Sequence, residues 1–200
     1  MKEIVFVTGN KGKVATAQKY FDDNNIKLLT YDYDYEEPNI NDIEVIAISK
    51  VKQAYRVVGK PCIALDSGFY IPNYPNKPNF PGAFPKRELL EKIGIDGLLE
   101  IMKNVENRYC YFKEVVAYFD GENIKLFYGI SEGYLSREKR GIDINKKWSD
   151  LWSVFIPFNC TKTLAEMTEE ERNNRNDNHT SALKEFAQFN NKQYIKTRVN

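Results

Sequence analysis

Few patterns restrict a chain's folding as tightly as a short apolar run cut off by a polar turn and followed at once by helical periodicity. Here Ile4-Val-Phe-Val7 stops at Thr8-Gly9-Asn10, Lys11-Gly-Lys13 follows, and residues 14–23 carry a helical pattern that ends at Asn24-Asn25. The stretch reads as a buried strand, a tight turn and a helix start. Such a turn offers free backbone N–H groups and the positive end of a helix dipole, which together suit a phosphate. Lys11 and Lys13 add mobile positive charge beside it. Val7 stands where a Walker loop would place its first glycine, and there is no G-x-G-x-x-G turn. The competing reading is an ordinary surface turn with two solvated lysines.

At 200 residues the chain suits one domain, 1–200, or two tightly joined lobes, and 13 Tyr with 12 Phe supply a core. No apolar run is long enough to span a membrane, and the N-terminus enters a strand without a signal-peptide hydrophobic region. Cys62, Cys110 and Cys160 are scattered, without a C-x-x-C, and read as reduced thiols of a cytoplasmic protein. A net charge of +1 gives no electrostatic case for nucleic acid. With a single histidine, His179, a metal would be held by oxygen ligands, and Mg²⁺ is the natural candidate.

Residues 26–31 read as a second strand. The acidic, aromatic loop Tyr31-Asp-Tyr-Asp-Tyr-Glu-Glu-Pro38 follows, and Asp42 is placed to cap a helix over 43–58. On that helix Ile43, Ile46, Ala47, Ala54 and Val57 form an apolar stripe with Lys50 in its middle. A lysine there either snorkels to water or meets an anion, because burying an unpaired ammonium is costly. Residues 62–65 form a short apolar strand that Asp66-Ser67-Gly68 interrupts before 69–71. An Asp in that position is placed for chemistry, or merely satisfies turn amides.

Residues 72–85 read as a loop, 86–93 and 96–102 as short helices. Residues 109–119 and 124–130 form a hairpin through Asp120-Gly-Glu-Asn123, with 131–135 continuing its second strand. The stretch 136–152 is polar and irregular, and 154–157 is a short strand. Thr163 with Glu166 and Thr168 with Glu171 have capping-box spacing. A last helix covers 181–189.

Taken in order, these segments resemble the inosine triphosphate pyrophosphatase family, which acts on non-canonical purine nucleoside triphosphates. Thr8-Gly-Asn-Lys-Gly-Lys13 is similar to the family's T-G-N-x-x-K turn, Asp66-Ser67-Gly68 to its D-S-G signature, and Phe80-Pro-Gly-Ala to its P-G loop. Ser131-Glu-Gly, Glu138-Lys-Arg-Gly141, Phe155-Ile-Pro157 and Thr163-Leu-Ala-Glu-Met-Thr-Glu-Glu-Glu-Arg-Asn173 resemble its C-terminal half. The resemblance implies an α/β, two-lobed fold around a long mixed sheet with flanking helices and a nucleotide cleft between the lobes. It implies a homodimer, Mg²⁺, and hydrolysis of ITP, dITP or XTP to monophosphate and pyrophosphate. Carried over by residue, Thr8, Gly9, Asn10, Lys11 and Lys13 contact the triphosphate, and Lys50 and Lys86 neutralise it. Asp66 is the base for the attacking water and a metal ligand, Lys13 assists at the catalytic step, Ser67 contacts substrate, and Glu37, next to Glu36, is the second metal carboxylate.

Three departures stand out. Leu65 replaces an acid before the D-S-G aspartate. Trp148-Ser-Asp-Leu-Trp-Ser153 replaces the base-stacking F-G-[YW]-D-P, leaving Trp152, with Trp148 and Asp150, as the substitute. Asp177-Asn-His-Thr-Ser181 replaces the purine-reading S-H-R, and only His179 survives of it. The phosphate half of the site is thus mostly intact and the base half rewritten. Two readings stay open: a pyrophosphatase with altered base preference, or a (d)ITP-binding sensor with little turnover. The sensor would act within a heteromeric complex on an effector such as a sirtuin-like NADase in antiviral defence.

Overall fold

The computed structural model describes residues 2–141, 149–175 and 177–198. Among the described residues seven strands, β1 (Lys2–Val7), β2 (Ile26–Tyr31), β3 (Cys62–Ile71), β4 (Phe80–Gly82), β5 (Tyr109–Phe119), β6 (Ile124–Leu135) and β7 (Phe155–Pro157), form one mixed sheet in the order β2-β1-β3-β5-β6-β7, with β4 paired to β3. β1 (Lys2–Val7), α1 (Lys11–Asp22) and β2 (Ile26–Tyr31) make a β-α-β unit whose strands pair in parallel, Val7 opposite Tyr31. α2 (Ile43–Val58) then leads to β3 (Cys62–Ile71), parallel to β1 with Val5 opposite Cys62. Parallel neighbours need such crossovers, so the α/β expectation holds. No helix among the described residues is long and apolar enough to cross a membrane.

The chain divides into two compact units. The first comprises residues 1–67, 114–129 and 180–200. Its core gathers Ile4 and Phe6 of β1, Phe21 of α1, Ile63 and Leu65 of β3, and Phe186 of α5 (Ala182–Arg198). The Phe21 and Phe186 ring centroids lie 5.6 Å apart. The second comprises residues 68–113 and 130–179. It contains β4 (Phe80–Gly82), a π-helical turn (Pro85–Leu90), α3 (Gly94–Ile101), a 3₁₀ turn (Asp150–Ser153), β7 (Phe155–Pro157) and α4 (Glu169–Asn174). Its core is built on Phe69, Phe112 and Phe155, with neighbouring centroids 4.7 and 4.8 Å apart. β5 (Tyr109–Phe119) and β6 (Ile124–Leu135) form the expected hairpin pair, and Asp120 Oδ1 accepts the amides of Glu122 and Asn123 in its turn.

Several expectations need correction. α1 begins three residues early, at Lys11, because Asn10 caps it by accepting the Lys13 amide at 3.1 Å. β3 is one continuous strand through Asp66-Ser67-Gly68. Gly68 serves close approach, not a turn: a Cβ there would meet the Gly82 carbonyl oxygen at 2.8 Å. The 72–85 loop holds the short strand β4, antiparallel to β3. On α2, Val51 is fully buried and Val57 is exposed, since the stripe leaves the core near the C-cap, Gly59. Thr168 and Glu171 form a full capping box on α4. At Thr163 only half forms, because its hydroxyl donates to the Arg140 carbonyl instead.

Candidate active site

The strand-turn-helix unit that opens the chain holds the first group of residues. The Thr8 amide donates to the Tyr31 carbonyl at 2.8 Å, and Thr8 Oγ1 accepts the Asn10 amide at 3.1 Å. The turn at the head of α1 is therefore fixed from both sides. Gly9 packs against the Asp32 carboxylate, which a Cβ would meet at 2.6 Å. Lys11 is exposed on the first turn of α1. Lys13 points to β3, where its ammonium donates to the Leu65 carbonyl at 3.0 Å.

Lys50 meets anions and does not snorkel. It is 8% exposed, and its ammonium lies 2.6 Å from Glu37 Oε1 and 3.3 Å from Asp66 Oδ1. The Tyr35 ring lies 5.8 Å from the same nitrogen, and the Tyr35 hydroxyl donates to the Val7 carbonyl at 2.9 Å. Of Glu36 and Glu37, it is Glu37 that reaches Lys50, and Gln53 of α2 shows why. Its side-chain carbonyl accepts the Glu36 amide at 3.0 Å and its amide group donates to the Glu36 carbonyl at 2.8 Å. With the Glu36 backbone clamped in this way, Glu37 is the residue that reaches Lys50.

Asp66 sits on β3, and its Oδ1 also accepts the Ser67 amide at 3.1 Å. Both hydrogen bonds fall on Oδ1; among the described residues none falls on Oδ2. Burial pushes the Asp66 carboxyl above its usual range, and the ammonium groups of Lys50 and Lys13 pull it part of the way back. Burial likewise holds the Lys13 ammonium below the usual lysine range, opposed chiefly by Asp66. These shifts record two opposite charges kept close in a poorly solvated place. Leu65 next door turns its side chain into the first unit's apolar core, beside Ile4, Phe6 and Ile63. Its face of the strand is packing.

Thr8, Asn10, Lys13, Glu37, Lys50, Asp66 and Ser67 therefore belong to the first unit, and Lys86, Trp152 and His179 to the second. Lys86 is on the π-helical turn, 86% exposed and 3.8 Å from Glu91. Trp152 is on the 3₁₀ turn, with the Arg172 guanidinium over its ring at 5.1 Å. His179 places Nδ1 2.6 Å from Asp177 Oδ1. Asp177 is fully buried at its side chain, pairs through Oδ2 with Arg175 Nε at 2.6 Å, and is held below the usual carboxylate range, its partners outweighing burial. Asp150 lies at the head of the 3₁₀ turn. Trp148 lies outside the described residues.

Sequence reasoning passed over Tyr35, Gln53 and Asp32. The loop 31–38 announced itself only as acidic and aromatic, and no periodicity in a loop says which side chain turns inward. Glu37 and Asp66, each within ion-pair distance of Lys50, offer oxygen donors only. Among the described residues no three His, Cys, Asp or Glu side chains come together as a metal site. Two carboxylates suit a hard cation that draws its remaining ligands from water and substrate phosphate, as Mg²⁺ does.

The Ham1 family model matches residues 4–189. The chain is 33% identical over 186 residues to the dITP/XTP pyrophosphatase of Thermococcus kodakarensis, covering 93% of this chain and 96% of that protein. It is 31% identical over 188 residues to the dITP/XTP pyrophosphatase of Pyrococcus horikoshii, covering 94% and 96%. Among solved structures it is similar to the Ham1 protein of Staphylococcus aureus, with a TM-score of 0.78 at 23% identity over 96% of this chain and 100% of that one. It is also similar to a HAM1 protein from Coxiella burnetii, with a TM-score of 0.77 at 26% identity over 94% and 98%.

Proposed function

Since the chain belongs to the Ham1 family, the inosine triphosphate pyrophosphatase family that its motifs resemble, we propose that it hydrolyses purine nucleoside triphosphates of the dITP/XTP type to the monophosphate and pyrophosphate. The observation that carries this reading is the buried Asp66 carboxylate, held on β3 between Lys50 and Lys13 beside the capped turn at the head of α1. That grouping combines the two things the reaction needs, cations for the triphosphate and a base for water.

Thr8 and Asn10 shape a turn whose amides, with Lys11 and Lys13, bind the phosphate chain. Lys50 and Lys86 neutralise further phosphate charge, and Ser67 contacts the substrate. Asp66 Oδ2 accepts a proton from water as the water oxygen bonds to the α-phosphorus and the bond to the α–β bridging oxygen breaks. Pyrophosphate leaves, and the proton stays on Asp66 until it passes to solvent. Burial suits Asp66 to this task, because a raised carboxyl is a stronger base than an ordinary one. Glu37 and Asp66 would hold Mg²⁺, which when bound supplies charge neutralisation on the phosphates. Trp152 and His179 are assigned to the base. The family resemblance supports a homodimer as the working state.

The test is pyrophosphate release from ITP, dITP, XTP, ATP, dATP and GTP with Mg²⁺, with binding followed in parallel by calorimetry. Release from one or two inosine or xanthine nucleotides, lost in Asp66→Asn, is expected. Tight binding of ITP or dITP with no release would overturn the hydrolase reading in favour of a sensor.

A further inference from the structure

We propose that Lys50 is a resident cation that occupies the carboxylate pair of Glu37 and Asp66 until a triphosphate draws it away, so that metal and nucleotide enter together. The inference rests on the reading above that these two carboxylates hold the metal. The Lys50 ammonium is within ion-pair distance of both, at 2.6 and 3.3 Å. It takes up one oxygen of each carboxylate and sets its charge where a divalent ion would sit. It stays there because α2 leaves it no comparable alternative: its neighbours on that face, Ile46, Ala47, Val51 and Ala54, are fully buried, and Lys50 itself is buried. The other cation of the site, Lys13, is already committed to the Leu65 carbonyl.

Charge decides the order of events. Glu37, Asp66, Lys13 and Lys50 together are formally neutral. A divalent ion entering alone would face two nearby ammoniums at short range in a poorly solvated place, where like charges repel strongly. A triphosphate entering with it supplies the negative charge to which Lys50 can move, on a flexible four-carbon stem. The carboxylates are then free to meet the metal. Nucleotide and metal should therefore bind with strong mutual dependence, and by linkage each should raise the other's affinity by the same factor.

The experiment titrates Mn²⁺ into the nucleotide-free protein and reads free Mn²⁺ by electron paramagnetic resonance. Lys50→Met, which keeps length and removes charge, should bind Mn²⁺ at least about tenfold more tightly than the parent. Adding Glu37→Gln to that variant should abolish the gain. Lys50→Gln gives the same comparison if Lys50→Met does not fold. If the parent and both Lys50 variants bind Mn²⁺ alike while Glu37→Gln weakens all of them, Lys50 is not the occupant, although the carboxylate site stands. If Glu37→Gln and Asp66→Asn change Mn²⁺ binding in no background, the metal-site reading falls and this inference with it.

Discussion

At the scale of single residues, Asp66 concentrates the conflict between folding and function. Its carboxyl is raised by burial beyond what Lys50 and Lys13 offset. A carboxyl raised in the folded state holds its proton to higher pH than in the unfolded chain. Stability therefore falls as pH rises through the unfolded value, about 4, towards the folded one, and the penalty persists above it. Asp66→Asn removes that penalty. In ligand-free protein near neutral pH its melting temperature should equal or exceed that of the parent, with the difference vanishing below about pH 4. Pyrophosphate release should meanwhile drop by about 10²–10⁴-fold, the usual contribution of a positioned base. A melting temperature well below the parent's would mean that the charge is net stabilising. Leu65 carries the complementary lesson. The sequence presents it as a missing acid, yet the residue is 5% exposed and packs in the core with Ile4, Phe6 and Ile63. Leu65→Glu should cost about 3 kcal/mol or more in urea unfolding, because it buries a charge with no partner on that face.

At the scale of elements, what could be read from the sequence depended on whether the deciding interactions were local. The bounds of β2, α2 and β5 fall where the sequence puts them. α2 is bracketed by Asp42, whose Oδ1 accepts the amides of Glu44 and Val45, and by Gly59 at φ 60°, the left-handed region that a C-cap requires. Asp42→Ala should therefore cost about 1 kcal/mol in urea unfolding. Because α2 carries Lys50 and Gln53, it should also loosen the clamp on Glu36. An unchanged midpoint would show that packing alone fixes the helix start. The elements misread were set by contacts distant in sequence. Asp66-Ser67-Gly68 looks like an interruption, yet the strand continues because Lys50, sixteen positions back, matches the Asp66 charge, and because Gly68 admits β4. The approach of Glu37 to Lys50 depends on Gln53, seventeen positions from Glu36. Lys50 itself was legible, because a lysine inside an apolar helical stripe is a local anomaly whose resolution requires an anion.

At the scale of the molecule, most residues proposed for the phosphate chain fall in one unit, while Lys86 and the residues proposed for the base fall in the other. Lys13, Glu37, Lys50 and Asp66 are in the first, while Trp152 and His179 are in the second. The departures from the family motifs are weighted the same way: the stretches around 148–153 and 177–179 lie in the second unit, and in the first only Leu65 departs, while the T-G-N turn and D-S-G keep the pattern. Affinity for the phosphate chain and preference among bases should then be separable by mutation. Lys13→Ala should weaken binding of inorganic tripolyphosphate by about tenfold or more, the worth of a charge-assisted hydrogen bond. Trp152→Ala and His179→Ala should leave tripolyphosphate affinity unchanged. With ITP the ranking changes: Trp152→Ala should lose about tenfold, in line with aromatic–base stacking of about 1–3 kcal/mol. His179→Ala should narrow the ratio of ITP to ATP affinity without moving the tripolyphosphate value. Calorimetry with the three ligands on the four proteins decides the matter. If Trp152→Ala weakens tripolyphosphate as much as Lys13→Ala does, Trp152 takes part in phosphate recognition and is not a base residue alone. The rewritten segments would then bear on catalysis as well as on the choice of base.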